Sequence, residues 1–150
     1  MKAKILVLLV LALGAGGLGR WAPHTVYAEL FGVGIFYSVN YEHRLSPLLS
    51  VGVGATQWEF GLLGPPIQYL GLFGHLRFLS GGLASHHLEV GASAGLFWPS
   101  PGFVLAPGVG YRFQPAAGGL VFRGTLLVLL APFTEQELFP FFGLSLGLAF

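Results

Sequence analysis

The sequence has no cysteine and no aspartate, and its only lysines are Lys2 and Lys4. Without cysteine, a disulfide scaffold and a zinc knuckle are both excluded. Charged residues make up 9% of the 150 positions, against about 25% in an average globular domain. Formal net charge is only +1 and there is no basic run, so the footprint of a nucleic-acid binder is missing. Long apolar runs are missing too. Past the N-terminus, no stretch reaches the roughly 18 uninterrupted apolar residues of a spanning helix. Yet 54% of the residues are hydrophobic and mean hydropathy is +0.74. That excludes a disordered chain, and the length suits one domain.

What is present begins with an export signature. Lys2 and Lys4 precede the apolar run Ile5 to Leu13, and the small residues Gly14-Ala15-Gly16-Gly17 follow. This order predicts a secretory signal peptide over residues 1–19, with cleavage between Gly17 and Ala22. The alternative is an uncleaved anchor, for which the apolar run is short. Residues 20–150 then form the working domain. Cut before Arg20, it keeps five Arg and six Glu.

The rest of the chain alternates with period two. Ile35, Tyr37, Val39, Tyr41, His43 and Leu45 share one face, and Phe36, Ser38, Asn40, Glu42 and Arg44 the other. Leu88, Val90, Ala92, Ala94 and Leu96 oppose His87, Glu89, Gly91, Ser93 and Gly95. Phe142, Leu144, Leu146, Leu148 and Phe150 oppose Gly143, Ser145, Gly147 and Ala149. Such alternation is strand periodicity. Glycine pairs two residues apart, such as Gly52/Gly54 and Gly108/Gly110, add a small-residue strand face. Turn signals predict strands at Val26–Phe31, Ile35–Leu45, Leu49–Trp58, Ile67–Leu79, His86–Phe97, Phe103–Gln114, Leu120–Leu130 and Phe139–Phe150. Their lengths suit tilted membrane strands of about ten residues.

The predicted fold is an all-β, eight-stranded antiparallel up-and-down transmembrane barrel of outer-membrane type. The break at Gly32–Gly34 keeps the strand number even, which puts both termini on the periplasmic side. About ten charges in residues 20–150 cannot wet the apolar face, so that face meets lipid and the polar face fills the interior. The runner-up is a soluble lipocalin-like binding barrel.

With the Ser46-Pro47 turn periplasmic, the inward charges gather near that end: Glu42, Arg44, Arg77, His87, Glu89, Arg112 and Arg123, with His75 close by and Glu29 joining if it points inward. An eight-stranded interior admits little beyond its own side chains, so this set predicts a hydrogen-bonded plug. Above it the lining is expected to turn to Gly, Ser and Thr, as in Ser50, Gly52, Gly54 and Thr56. A proton or ion path is the sharper alternative. Tyr37, Tyr41, Tyr111, Phe113, Trp58 and Trp98 are expected in interfacial girdles, with sugar or peptide binding at Trp58 and Trp98 as the alternative.

One constellation has the residue types of nucleophilic catalysis. Ser85, His87 and Glu89 lie on one strand face at spacings of about 6.6–7 Å. Outer-membrane barrels that cut lipid acyl chains with Ser-His-acid sites exist, but such sites open toward lipid and this face points inward. The expectation is therefore no catalysis. His86 and His87 point to opposite faces, and no His, Glu or Cys grouping has metal-ligand spacing. No metal and no cofactor is expected, and Gly32-Val33-Gly34 lacks the helix a nucleotide fingerprint needs.

Tyr37-Ser38-Val39-Asn40-Tyr41-Glu42-His43-Arg44 resembles a recurring segment of small, largely uncharacterised outer-membrane β-barrel proteins of Gram-negative bacteria. Gly110-Tyr111-Arg112-Phe113-Gln114-Pro115, followed by Gly118-Gly119 and Phe122-Arg123, is similar to that group's second landmark, and Gly143-Leu144-Ser145-Leu146-Gly147 is like its last strand. The resemblance covers nearly all of residues 20–150 and departs at Phe31–Gly34, where a Gly/Asn-rich turn is more usual. It implies a small outer-membrane barrel and no specific activity. The architecture more distantly resembles the OmpA-type transmembrane domain. The terminal Phe150 resembles the aromatic signal read by the barrel-assembly machinery. The expected partners are that machinery and outer-membrane lipid or lipopolysaccharide, with any extracellular ligand unspecified.

Overall fold

The computed structural model describes residues 22–61, 65–80, 85–99, 102–130 and 139–150. The predicted leader and its cleavage region up to residue 21 lie outside these, as do the middles of four breaks between strands. The strands are β1 (His24–Phe31), β2 (Tyr37–Ser46), β3 (Leu49–Phe60), β4 (Ile67–Leu79), β5 (His86–Trp98), β6 (Gly102–Phe113), β7 (Gly119–Leu129) and β8 (Phe139–Ala149). Each pairs antiparallel with the next, and β1 pairs with β8, which closes an eight-stranded barrel. Closure gives every strand a hydrogen-bonded neighbour on both sides and leaves no free edge strand.

The alternation sorts side chains as the pattern requires. Leu88, Leu96 and Leu126 are about two-thirds exposed on the outer wall, at 67%, 65% and 65%. Their strand neighbours Glu89, Phe97 and Leu127 are buried inside. Among the described residues, Arg44, Arg77, Arg112 and Arg123 all point inward, and no Arg or Lys stands on the outer wall. Pro107, which has no N–H, interrupts the β6–β7 ladder. Pairing runs from Phe113 opposite Phe122 to Gly108 opposite Leu127 and resumes at a Leu105–Leu130 bridge.

The first connection differs from the expected break. β1 starts two residues earlier than predicted, and β2 begins at Tyr37 rather than Ile35. Between them Gly32–Gly34 forms a single 3₁₀ turn, flanked by Phe31 at φ 61° and Ile35 at φ 70°. Left-handed backbone at non-glycine residues costs of order 1–3 kcal/mol each. The turn folds Val33 into the barrel mouth, where it is 2% exposed and packs with Phe73, Phe97, Val104, Ala106 and Leu127. Burying that apolar side chain offsets the strain.

This apolar layer corrects the expected lining. Above the charges, the interior holds two stacked phenylalanines as well as small and hydroxylic residues. The rings of Phe73 and Phe97 lie 6.4 Å apart and nearly parallel. Glycine makes the room: a Cβ on Gly71 would lie 2.6 Å from the Phe97 ring, and one on Gly54 2.3 Å from the Phe73 ring. Trp58 is a second correction. It shares inward parity with Thr56 and is half-buried. It stacks on Tyr69 with ring centroids 4.0 Å apart and meets Phe36 edge-on at 4.9 Å, an aromatic cluster at the mouth rather than a lipid girdle.

Candidate functional site

The polar interior lies below the apolar layer, nearer the end that carries His24, the Ser46–Leu49 connection and Phe150. Antiparallel register brings its members together from distant sequence. Arg112 and Arg123 are direct cross-strand partners on β6 and β7, an opposition of like charges that is destabilising by itself. Carboxylates from β1, β2 and β5 reverse the sign of that interaction.

Arg112 is the centre. Its Nη2 donates to Glu42 Oε2 at 2.9 Å, its Nη1 donates to Glu42 Oε1, and its Nε donates to Glu89 Oε2 at 3.0 Å. One guanidinium thus holds Glu42 with two parallel bonds and Glu89 with a third, the fork geometry Lys cannot supply. Arg123 Nη2 donates to Glu29 Oε1 at 3.0 Å, and its Nε lies 3.3 Å from Glu89 Oε1. Arg77 Nη1 reaches the same Glu89 oxygen at 3.5 Å, and its Nε lies 3.7 Å from Glu42. Arg112 and Arg123 are each 1% exposed, and Glu29 and Glu42 each 2%. Charges so far from water persist only when paired and hydrogen-bonded.

Neutral groups complete the set. Tyr27, which sequence reasoning passed over, accepts from Arg123 Nη1 at 3.0 Å, lies 3.2 Å from His75 Nε2, and places its ring 4.5 Å beneath the Arg123 guanidinium. Its parity with Thr25 and Glu29 was the available signal. Ser145 donates to Glu29 at 3.3 Å, and Asn40 donates to Ser38 at 2.9 Å, with Ser38 Oγ 3.5 Å from Glu29. Gln114 accepts from Arg112 at 3.2 Å and donates to the Ala22 carbonyl at 3.4 Å.

All seven predicted interior residues point inward, as do Glu29 and His75. Glu42, Arg77, Glu89, Arg112 and Arg123 form one contiguous network. His75 joins it at 3.6 Å from Glu42. Arg44 and His87 sit beside it: Arg44 Nη2 donates to the Pro47 carbonyl at 3.0 Å and lies 3.5 Å from His87 Nε2. The Ser85, His87 and Glu89 grouping is not assembled as a catalytic relay. His87 Nδ1 faces the Ser80 carbonyl at 2.9 Å, its Nε2 faces Arg44, and Glu89 is engaged by three guanidiniums. Phe150 exchanges backbone hydrogen bonds with His24, which places it against β1 at the closing seam.

No protein-family description and no curated protein matches the chain. Among solved structures, it is similar to Ail, the attachment invasion locus protein of Yersinia pestis, with a TM-score of 0.42 and 14% sequence identity over 84% of this chain and 93% of that one.

Proposed function

We propose that this chain is an integral outer-membrane barrel with a closed interior, acting as a structural or surface-interaction protein without catalysis. The observation that carries the reading is the filled interior. A charge-paired layer from six strands and an apolar layer capped by Val33 lie one above the other inside a barrel whose outer wall is apolar. An eight-stranded interior is just wide enough for side chains to fill it, and the two layers supply those side chains, which supports a closed interior. The outer wall of Leu, Val and Phe suits acyl chains, and water would order unfavourably around it. Lipid and lipopolysaccharide are then the surroundings of the wall, and the assembly machinery its route of insertion.

Planar-bilayer recording of the reconstituted protein tests the closed interior. The expected result is no discrete conductance step; steps that change in Arg112→Ala would establish the narrow-channel reading instead. Cell fractionation with an unheated gel tests the location. A band in the outer-membrane fraction whose mobility changes on boiling is expected, whereas a soluble band without detergent would favour the lipocalin-like barrel.

A further inference from the structure

The outer wall carries histidine at the rim where the termini meet. His24 opens β1 and His43 lies directly across from it on β2, both on the outward face. Their Nδ1 atoms lie 3.3 Å apart, and the Tyr41 hydroxyl lies 2.7 Å from His24 Nδ1. The two imidazole rings are 4.8 Å apart, and the Phe150 ring packs 5.7 Å from His24 on the other side. Hydrogen bonding alone does not account for this arrangement. An imidazole Nδ1 has either one proton or one lone pair. The His24 atom faces two polar partners, so one of the two contacts has no good hydrogen bond in either tautomer.

A metal ion resolves the conflict. Zinc–imidazole bonds of about 2.0–2.1 Å in a tetrahedral arrangement separate two ligand nitrogens by about 3.3 Å. That is the spacing of the two Nδ1 atoms; the Tyr41 oxygen, at hydrogen-bond distance of 2.7 Å from His24 Nδ1, would swing outward by roughly half an ångström to join the shell. The flanking charged residues of β2, Glu42 and Arg44, point into the barrel, and no Arg or Lys among the described residues stands on the outer wall to repel a cation. The rim position leaves water to fill the remaining coordination positions. A separation of 19 residues hides the pair from any scan of local ligand spacing.

We propose that His24 and His43, with Tyr41 as a third donor, form a binding site for a divalent transition-metal ion of the zinc–copper type. Imidazole nitrogen suits such ions, whereas magnesium and calcium prefer oxygen ligands. The site stands on the β1–β2 register and is independent of whether the interior conducts.

The test is calorimetric titration of zinc into the protein, refolded in micelles and carrying no polyhistidine tag. The expected result is one equivalent bound, with affinity lowered more than about tenfold in His24→Ala and in His43→Ala. Tyr41→Phe should lower it only a few-fold, since water replaces a lost oxygen donor. Copper bound to the wild type should show two-nitrogen coupling in its electron paramagnetic resonance spectrum. His86→Ala, elsewhere on the outer wall, is the control expected to leave binding unchanged. Unchanged zinc affinity in the His24→Ala/His43→Ala double variant, with a folded band on an unheated gel, would overturn the proposal. So would absence of binding to the wild type.

Discussion

Glu42 is the acceptor on which the interior charge balance turns, and Glu42→Gln removes its charge with almost no change in volume. The described interior holds four guanidiniums, Arg44, Arg77, Arg112 and Arg123, against three carboxylates, Glu29, Glu42 and Glu89. Glutamine raises the excess from one positive charge to two and breaks a two-bond pair with Arg112, together with ion pairs to Arg77 at 3.7 Å and Arg123 at 3.6 Å. Removing one partner of a buried pair costs about 3–5 kcal/mol. Because three cations lose their shared acceptor, the upper half of that range is expected. Against a total of about 5–15 kcal/mol this is a large fraction. With a urea dependence of about 2 kcal/mol per M, the midpoint should fall by roughly 2 M. Glu42→Gln/Arg112→Gln restores the excess to one, so the double variant should cost less than the two single variants together, by about 1–3 kcal/mol. Urea titration of the folded barrel, followed by tryptophan fluorescence and by the folded band on an unheated gel, reads all three. Glu59→Gln, an exposed carboxylate at the far end of β3, is the control and should change stability by less than about 0.5 kcal/mol. A Glu42→Gln midpoint equal to wild type, or strict additivity in the double variant, would refute the reasoning.

The outer wall, the apolar layer and the glycine contacts each give a further expectation. Leu72→Arg, on the outer wall in the middle of β4, should cost about 2–4 kcal/mol when folding is measured in phospholipid bilayers. A soluble barrel would tolerate it, so an unchanged stability would count against insertion. Phe97→Ala should cost about 3–5 kcal/mol in urea titration. Bilayer recordings should stay silent in that variant, because the charge layer beneath remains; conductance would show that the aromatics alone close the interior. Gly147→Ala should be strongly destabilising, since its Cβ would lie 2.2 Å from the Val26 carbonyl oxygen and 2.4 Å from Tyr27 Cβ. Gly124→Ala, with nothing nearer than 3.9 Å, should change little. Equal midpoints for the two alanine variants would contradict the close approach of β8 to β1.

The sequence made the faces legible and left the partnerships hidden. Period-two alternation located all eight strands, and β4 begins and ends where the turn signals placed it. Parity alone sent Glu42, Arg77, Glu89, Arg112 and Arg123 inward. It could not say that Arg112 meets Glu42, because that contact spans 70 residues and depends on the register of four intervening strand pairs. Phe73 and Phe97 share the parity of His75 and Glu89, so their burial is readable from the alternation alone. Val33 was not readable, because it enters the interior through left-handed backbone at Phe31 and Ile35, where side-chain type gives no warning.

The two interior layers also differ in what they specify. A one-residue slip of any strand turns its apolar face inward and is heavily penalised by solvation. A two-residue slip preserves parity. It leaves Leu and Val on the outer wall, but it also takes the Phe73 and Phe97 rings off the glycines that make room for them. The same slip moves a β2 carboxylate about 6.6–7 Å along the wall, so Glu42 would lose both bonds to Arg112 while remaining buried. Even-numbered slips are therefore opposed by the charges together with the close glycine contacts. This accounts for a network that spends desolvation where leucine and phenylalanine would fill the same space with less cost. It follows that Glu42→Gln/Arg112→Gln should keep a closed barrel but show more than one set of amide resonances for β2. A single set would place register selection in the turns instead.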